Sequence, residues 1–258
     1  MANIEYVSAP SRVSMGDQWF DVSPIDHFWI QRRFQVFQKL AGNLVANSHE
    51  IAEIGCGHGL VQRQMEEAYG REVTGFDLND FALQRNQSQR SRVCCYDIYQ
   101  RESRFERRFD LILMFDVLEH IDDEDHFLSA IAFHLAPNGY LAMNVPAGQW
   151  LYSAYDQMDG HKRRYSLGML NRVAERNGFT ILRSTYWGLP LVPLVILRKI
   201  WLSRSYGDER AVAVGFDSRT PGINRMLLHL ARLEVTPQKL MGTSAMAILR
   251  LSGSAARG

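Results

Sequence analysis

The sequence predicts an α/β protein built on one mostly parallel sheet with helices on both faces. Two observations predict this fold. Between residues 48 and 147, apolar strand-like runs alternate with helix-like stretches, which is the pattern of βαβ units. Within the first unit, the glycine-rich run Ile51–Gly59 lets a strand turn sharply into a helix. A chain of 258 residues, 46% of them hydrophobic, is long enough to bury a sizeable core.

The individual elements follow from hydrophobic periodicity. Apolar residues recur at helical spacing from Pro24 to about Asn47, which predicts an N-terminal helical lead-in. We expect strands at 50–54, 72–76, 91–95, 109–114 and 139–145, and helices at about 59–69, 79–88 and 122–135. Beyond a polar, aromatic loop at 146–165, we expect a helix at 166–177, a strand at 179–185, an apolar segment at 189–202, a helix at 222–234 and a strand at 244–251. The sheet therefore has seven predicted strands, with a helical insertion before the last one.

Composition excludes several classes of protein. The formal net charge is +1, so bulk electrostatics gives no reason to expect a nucleic-acid partner. The three cysteines, Cys56, Cys94 and Cys95, show neither a disulfide framework nor metal-ligand spacing. The N-terminus lacks the features of a secretory signal, and no apolar run is long enough to span a bilayer. These features predict a cytoplasmic protein.

The glycine turn and two nearby acids predict a cofactor site. Glu53 lies in the strand just before the glycines at 55, 57 and 59, which leave the backbone open to a ligand. Asp77 ends the next apolar run, where its carboxylate can accept two hydrogen bonds from a ribose diol. The pair predicts a nucleoside-containing cofactor. A nicotinamide cofactor is disfavoured because Leu60 occupies the place of the last glycine in the dehydrogenase pattern.

Three further motifs narrow the choice of cofactor. Asp97 follows the third apolar run, Phe109–Ile121 includes the sequence Leu118-Glu-His120, and His134–Pro146 reads as a helix, a turn and a strand. Together with the glycine turn, these motifs resemble the class I S-adenosylmethionine-dependent methyltransferases. Within that family they resemble the bacterial small-molecule methyltransferases with a Leu-Glu-His motif after the fourth strand. The resemblance covers residues 48–147 as the core, and it implies a Rossmann-like sheet, S-adenosyl-L-methionine as cofactor and a small-molecule acceptor.

The resemblance also implies roles for single residues. Glu53 would help to hold the methionine end of the cofactor, Asp77 the ribose and Asp97 the adenine amino group. Trp29 and Arg32, together with Trp19, would close over the cofactor, unless they only pack an amphipathic helix. The implied cofactor residues are Glu53, Gly55, Cys56, Gly57, Gly59, Asp77, Leu78, Asp97, Ile98, Phe115, Asp116, Trp29 and Arg32.

The same resemblance divides the chain into three parts. Residues 1–47 are a helical lead-in and cofactor cover, and residues 48–147 are the cofactor-binding core. Residues 148–258 hold a substrate loop, a helical lid insertion and the last strands of the same sheet. The acceptor is therefore expected to be chosen by the third part of the chain.

Catalytic residues are harder to predict than cofactor residues. Methyl transfer from a sulfonium needs positioning and exclusion of water, and it needs a base only if the acceptor loses a proton early. His120 and His161 are the candidate catalytic residues, although His120 could instead fix its loop through backbone bonds. No spacing predicts a metal site, since the aspartates at 122, 123 and 125 read as a helix start.

The polar loop supplies the candidate acceptor-binding residues, which are Tyr152, Arg163, Arg164 and Tyr165. An arginine pair can hold a carboxylate, a phosphate or a sugar acid. The alternative is a lid in which these arginines pair with Asp156 and Asp159. Both interpretations remain open from the sequence.

The apolar segment Leu189–Leu202 has three possible roles. With Arg198, Lys199 and Trp201 near its end, it could lie on a membrane surface and receive a lipid-like acceptor there. It could also roof an apolar pocket or form a dimer contact. We favour a lid or an interface helix over a membrane contact.

The function predicted first is methylation of an oxygen, nitrogen or carbon atom of a small molecule, such as a sugar, a quinone, a phenol or a lipid-like compound. One alternative is a nicotinamide-dependent oxidoreductase, which the order of the glycines disfavours. Another is a non-catalytic module that binds S-adenosylmethionine for regulation or scaffolding.

Overall fold

The protein is described by a computed structural model at residues 3–11, 25–204 and 221–252. Its strands are β1 Ile4–Tyr6, β2 Ile51–Ile54, β3 Thr74–Asp77, β4 Val93–Cys95, β5 Phe109–Phe115, β6 Leu135–Pro146, β7 Phe179–Trp187 and β8 Ser244–Leu251. They form one sheet in the order β1-β4-β3-β2-β5-β6-β8-β7. The pairings from β1 to β6 are parallel, whereas β8 runs antiparallel to both β6 and β7. The predicted α/β fold with a mostly parallel sheet is confirmed.

Within the described ranges, the sheet has eight strands rather than the seven predicted. The additional strand, β1, lies at one edge and pairs in parallel with β4, which aligns Ile4 with Val93 and Tyr6 with Cys95. Its three residues are too few to show an alternating apolar pattern. The strand exists because its backbone completes the hydrogen bonding of β4, and such pairing leaves little trace in the sequence.

Eight α-helices are described: α1 Phe28–Asn47, α2 Leu60–Tyr69, α3 Asp80–Leu83, α4 Glu124–His134, α5 Ala154–Met158, α6 Leu167–Arg176, α7 Val192–Arg204 and α8 Pro221–Arg232. None of these helices is long and apolar enough to cross a bilayer. Helix α3 covers only the start of the helix predicted at 79–88, because the chain then leaves helical bonding and the Gln87 N–H donates to the His58 carbonyl. The predicted loop at 146–165 contains the short helix α5, whose first turn is capped by Ser153 and Asp156.

The core lies on both faces of the sheet. Successive side chains of a strand point to opposite faces. Ile112 and Met114 of β5 therefore pack in a cluster with helices α4 and α6, whereas Leu111 and Leu113 pack in a second cluster with α1 and α2. Strand β5 is buried along nearly its whole length, so its two ends are fixed on both faces of the sheet.

Two polar side chains tie the start of α1 to the C-terminal part of the chain. The side-chain Oδ1 atom of Asn224 accepts the Phe28 N–H at 2.7 Å. The Glu234 carboxylate accepts the N–H groups of Gly188 and Leu189 at 2.8 and 2.9 Å and pairs with Arg32 at 3.3 Å. These contacts hold α1 and the segment before α7 together above the carboxyl ends of the central strands.

Candidate active site

A cavity opens at the carboxyl ends of β2 and β5, the two strands at the centre of the sheet. Because β3 lies on one side of β2 and β5 on the other, this is the point where the strand order reverses. Open α/β sheets bind ligands at such a point. The wall of the cavity is formed by the start of α1, the glycine turn, the end of β5, residues 155–164 and the inner side of α7.

The glycine turn has the backbone shape that the sequence predicts. Gly55, Gly57 and Gly59 have φ angles of 74°, 51° and 77°, in the left-handed region that favours glycine. The N–H groups of Gly55 and Cys56 donate to the Phe76 carbonyl, which fixes the turn to the end of β3. A Cβ atom on Gly55 would lie 2.5 Å from the Val117 Cγ2 atom, so this position has no room for a side chain.

Glu53 places a buried carboxylate beside this turn. Its side chain lines the cavity, the residue is 3% exposed, and its Oε2 atom has no hydrogen-bond partner among the described residues. Burial, with a smaller contribution from the nearby Asp77, raises the pKa of Glu53 to about 8 against the opposing effect of Arg33. A buried acceptor without a partner is costly unless a ligand supplies one.

Asp77 lies behind the glycine turn and does not line the cavity. Its Oδ2 atom accepts the Gly57 N–H at 2.7 Å, and its Oδ1 atom accepts the Asn79 N–H at 2.9 Å. Asp97, at the end of β4, accepts the Tyr99 N–H at 3.0 Å. Asp77 and Asp97, with the adjacent residues Leu78 and Ile98, are thus grouped at the ends of neighbouring strands, next to the cavity rather than on its wall.

Asp116 follows β5 and lines the cavity in a strained conformation. Its φ angle is 58°, which is uncommon for a residue other than glycine. Three groups hold it there: Asn144 donates to Oδ1 at 2.6 Å, Arg33 pairs with Oδ2 at 2.5 Å, and the Asp116 N–H donates to the Asn144 carbonyl. Phe115, beside it, also lines the cavity and lies under the Arg33 guanidinium. Arg33 was not among the residues singled out from the sequence, because it reads as one more polar residue of α1.

The predicted cover of the cofactor is partly present at the cavity. Trp29 lines it and stacks at a tilt against Trp187, with ring centroids 4.4 Å apart. Arg32 instead points to Glu234 and is not part of the lining. Trp19 lies outside the described residues.

The two candidate catalytic histidines lie next to each other, and both line the cavity. His120 belongs to a short 3₁₀ turn at Leu118–His120, and its ring lies 4.9 Å from that of His161, measured between centroids. The Nδ1 atom of His161 lies 3.0 Å from Asp156, and its Nε2 atom lies 3.2 Å from Asp159 and 4.0 Å from Glu119. The neighbouring carboxylates thus surround one imidazole.

Of the candidate acceptor-binding residues, only Arg164 lines the cavity. It pairs with Asp156 at 2.7 Å, whereas Arg163 pairs with Glu124 at 3.3 Å. The Tyr165 hydroxyl also donates to Glu124, and the residue is fully buried. The Tyr152 hydroxyl donates to the carbonyl of His161 and supports the loop. The arginine pairing left open by the sequence therefore holds for Arg164 with Asp156.

Sequence reasoning did not single out Glu119, Asp156 and Asp159 as site residues, although all three surround His161. Glu119 stands inside the Leu-Glu-His motif, so a signal was present there. Asp156 and Asp159 fit no periodic pattern in the loop. They are far from Glu119 along the chain, so the sequence does not show that all three side chains surround His161. No metal-ligand spacing was visible in the sequence either, yet the fold brings Glu119, His120 and His161 together.

In protein freed of metal ions with a chelator, we expect the His161 imidazole to stay protonated at pH 9 and the His120 imidazole to be neutral at pH 7. Burial opposes the charge on His161, but hydrogen bonds to Asp156 and Asp159 outweigh it and raise the pKa to about 10. Burial, with the nearby His161, lowers the pKa of His120. Nitrogen-detected NMR titration of the imidazole rings measures both. Asp156→Asn should lower the pKa of His161, and a wild-type His161 that titrates below pH 7 contradicts the described geometry.

Residues 25–184 match the model of a family described as a methyltransferase domain. A probable S-adenosylmethionine-dependent methyltransferase of Mycobacterium tuberculosis is 27% identical over 123 residues, which are 47% of this chain and 44% of that protein. The ubiquinone biosynthesis O-methyltransferase of Bordetella avium is 24% identical over 149 residues, which are 54% of this chain and 60% of that protein. The chain thus spans about half the length of these curated relatives.

The fold also matches solved structures. The crystal structure of an S-adenosylmethionine-dependent methyltransferase from Archaeoglobus fulgidus aligns with a TM-score of 0.54 at 18% identity, and it covers 85% of this chain and 94% of that one. At this identity the likeness concerns the fold. It extends well beyond residues 48–147, which the sequence motifs identify as the core.

Proposed function

This chain belongs to the methyltransferase family whose domain model it matches, and we propose that it transfers the methyl group of S-adenosyl-L-methionine to a small-molecule acceptor. The observation that carries the proposal is the buried Glu53 carboxylate, which faces the cavity with one partnerless oxygen beside the glycine turn. The ammonium group of the bound cofactor, or a water molecule that bridges to it, would supply the hydrogen-bond donor that this oxygen lacks.

The residues beside the turn fit the other end of the cofactor. Asp77 accepts backbone N–H groups on both of its oxygens, and its carboxylate retains lone-pair capacity for a ribose hydroxyl. When bound, S-adenosylmethionine supplies an electrophilic methyl group on a sulfonium. The chain's own task is to place the acceptor in line with that group and to exclude water. The apolar residues Phe28, Trp29, Leu191 and Val195 line the cavity and serve that exclusion.

We place the acceptor between these apolar residues and the wall that holds Glu119, His120 and His161. His120 offers a neutral ring to this space, and His161 offers a ring fixed by Asp156. Both histidines remain candidate catalytic residues. An acceptor with an apolar body and a hydroxyl group fits such a cavity, and the similarity to ubiquinone biosynthesis O-methyltransferases supports a phenolic or quinol compound.

The test is a product-release screen with purified protein, S-adenosylmethionine and panels of phenols, quinols, sugars, lipids and amines. We expect release of S-adenosylhomocysteine with at least one hydroxyl compound. Tight binding of S-adenosylmethionine without turnover on any panel would instead support the non-catalytic module. An NADH fluorescence titration tests the oxidoreductase alternative, for which we expect no saturable signal.

Helix α7 contributes a second part of the proposal. Its inner residue Val195 is buried on the cavity, whereas Leu194, Leu197, Ile200 and Trp201 are exposed on the other side. We infer that this outer apolar surface, defined by those four residues, rests on a membrane, so that a lipid-like acceptor enters under α7. The basic residue Lys199 lies within the same stretch, as in helices that bind anionic lipid surfaces.

Leu197→Glu is expected to abolish co-sedimentation with anionic vesicles. Leu197 is 63% exposed, so the substitution should leave the fold intact while placing a charge against the lipid. Binding of S-adenosylmethionine, measured in parallel, should be unchanged. Leu182→Glu is a matched control, because Leu182 is also exposed but lies on β7. Wild-type protein that stays in the supernatant contradicts the membrane contact, while the lid role of α7 stands.

A further inference from the structure

Three potential metal ligands lie together on the acceptor wall of the cavity. One ligand atom each from Glu119, His120 and His161 lies within 4.8 Å of the other two. Glu119 and His120 come from the turn after β5, whereas His161 comes from the loop after α5, so the sequence gives no hint of the cluster. The proposed methyl transfer does not require such a grouping, because placing the acceptor and excluding water need no metal ion.

Glu119 provides an independent sign that a ligand is missing from its surroundings. The residue is fully buried, it lines the cavity, and neither of its carboxylate oxygens has a hydrogen-bond partner among the described residues. A buried carboxylate with two unsatisfied oxygens is rare and costly. A cation bound at this point would satisfy both its charge and its lone pairs.

The surroundings of His161 are those of a metal-bound histidine. Asp156 lies 3.0 Å from the Nδ1 atom, so an Nδ1–H donates to it, and Nε2 faces Asp159 at 3.2 Å and Glu119 at 4.0 Å. Asp156 is itself held by Arg164 at 2.7 Å and by the Ser153 N–H at 2.9 Å. Metal-binding histidines nearly always carry such a partner on the other ring nitrogen.

The charges of the cluster also leave room for a cation. Asp116 pairs with Arg33 and Asp156 pairs with Arg164. Among the described ion pairs, Glu119 and Asp159 have no arginine or lysine partner and share only the His161 ring. Two carboxylates together with two neutral imidazoles would match a divalent charge.

We propose that Glu119, His120 and His161 bind one divalent transition-metal cation of the zinc class, with Asp159 at the rim as a fourth ligand. Two imidazoles and carboxylates favour zinc or manganese over magnesium, which prefers oxygen ligands alone. With zinc–ligand bonds of about 2.1 Å, two ligands stand at most about 4.2 Å apart. The cluster, within 4.8 Å, therefore needs only small side-chain movements to close on the ion.

The test measures metal binding directly and needs no acceptor. Chelator-treated protein is titrated with ZnCl₂ and with MgCl₂ in a calorimeter at pH 7, and S-adenosylmethionine is titrated separately. We expect uptake of one zinc per chain and much weaker binding of magnesium. Glu119→Gln and His161→Asn should each weaken zinc binding by roughly 100-fold, and Asp156→Asn by about 10- to 100-fold through loss of the histidine's orientation.

Two control variants separate this site from zinc binding elsewhere on the chain. His126→Asn removes an exposed histidine of α4, and Cys56→Ser removes the thiol that lines the same cavity. Both should keep the wild-type affinity for zinc. Because the buried variants could fail to fold, zinc should also raise the melting temperature of wild-type protein, as expected for a ligand of the native state.

The outcomes are distinct from those of the proposed function. Zinc uptake that is absent in wild-type protein, or equal in wild type and in folded Glu119→Gln and His161→Asn variants, overturns the metal site. If S-adenosylmethionine still binds in that case, the methyltransferase proposal stands. Loss of zinc uptake in Cys56→Ser but not in His161→Asn would also overturn the site, since it places the ion at the glycine turn.

Discussion

Glu53→Gln is expected to weaken the binding of S-adenosylmethionine by about 1.5–3 kcal/mol, which is roughly 10- to 150-fold in Kd. The carboxylate faces the cavity with an unpartnered oxygen, and the amide retains its shape but not its charge. Isothermal titration calorimetry at pH 8.5 measures the loss. An unchanged Kd would show that Glu53 does not contact the cofactor.

The same substitution should make the cofactor-free protein more stable at high pH. Burial raises the pKa of Glu53 from its ordinary value of 4.5 to about 8. A carboxyl group whose pKa is higher in the folded than in the unfolded state destabilises the folded state when it ionises. The free energy of unfolding therefore falls as pH rises from 4.5 through 8. The penalty above pH 8 is about 5 kcal/mol, because the pKa rises from 4.5 to about 8 and one pKa unit corresponds to about 1.4 kcal/mol.

Urea unfolding at pH 6 and pH 9 tests whether ionisation of Glu53 lowers the free energy of unfolding. Wild-type protein should lose free energy of unfolding between the two pH values, and Glu53→Gln should lose markedly less. Glu50→Gln is the matched control, because Glu50 is exposed and should reproduce the wild-type pH dependence. Parallel pH dependence in Glu53→Gln and wild type would contradict a buried carboxylate at this position.

Asp77→Ala is expected to weaken the binding of S-adenosylmethionine by about 1–3 kcal/mol through lost hydrogen bonds to the ribose. The structure adds a second cause, because Asp77 also accepts the Gly57 N–H at 2.7 Å and so holds the turn open. The free energy of unfolding should fall as well, since that N–H and the Asn79 N–H lose their acceptor.

Asp110→Ala is the control for Asp77→Ala. Asp110 stands at the opposite end of the sheet, where its Oδ2 atom accepts the N–H groups of His49 and Glu50 at 2.8 and 3.1 Å. This substitution removes two comparable backbone contacts, so it should destabilise the fold by about 1–2 kcal/mol without changing the Kd for S-adenosylmethionine. Equal effects of the two variants on that Kd would mean that Asp77 acts only through stability.

The grouping of Glu53, the glycine turn and Asp77 could be predicted from sequence because these residues are close together along the chain. Glu53 lies within β2, the glycines follow that strand and Asp77 ends the next one, so strand and helix periodicity alone brings them to one edge of the sheet. The strand β1 was missed, since its pairing with β4 depends on backbone bonds rather than on an apolar pattern.

The grouping of side chains around His161 could not be predicted in the same way. Glu119 and His161 come together beside the cavity from two separate segments of the chain, and no period in residues 146–165 indicates that contact. The pairing of Arg164 with Asp156 was one of two open interpretations, and only the folded loop distinguishes them. Burial in the loop also could not be predicted from the sequence. Tyr165 looks like a polar loop residue, yet it is fully buried and its hydroxyl donates a hydrogen bond to Glu124.

The most direct test of the cofactor site is calorimetric titration of wild-type protein with S-adenosylmethionine and with S-adenosylhomocysteine. We predict saturable binding of both at one site per chain, and we predict that Glu53→Gln and Asp77→Ala weaken it while Asp110→Ala does not. Folded wild-type protein that binds neither compound would contradict the central claim that the cavity beside the glycine turn is a site for this cofactor.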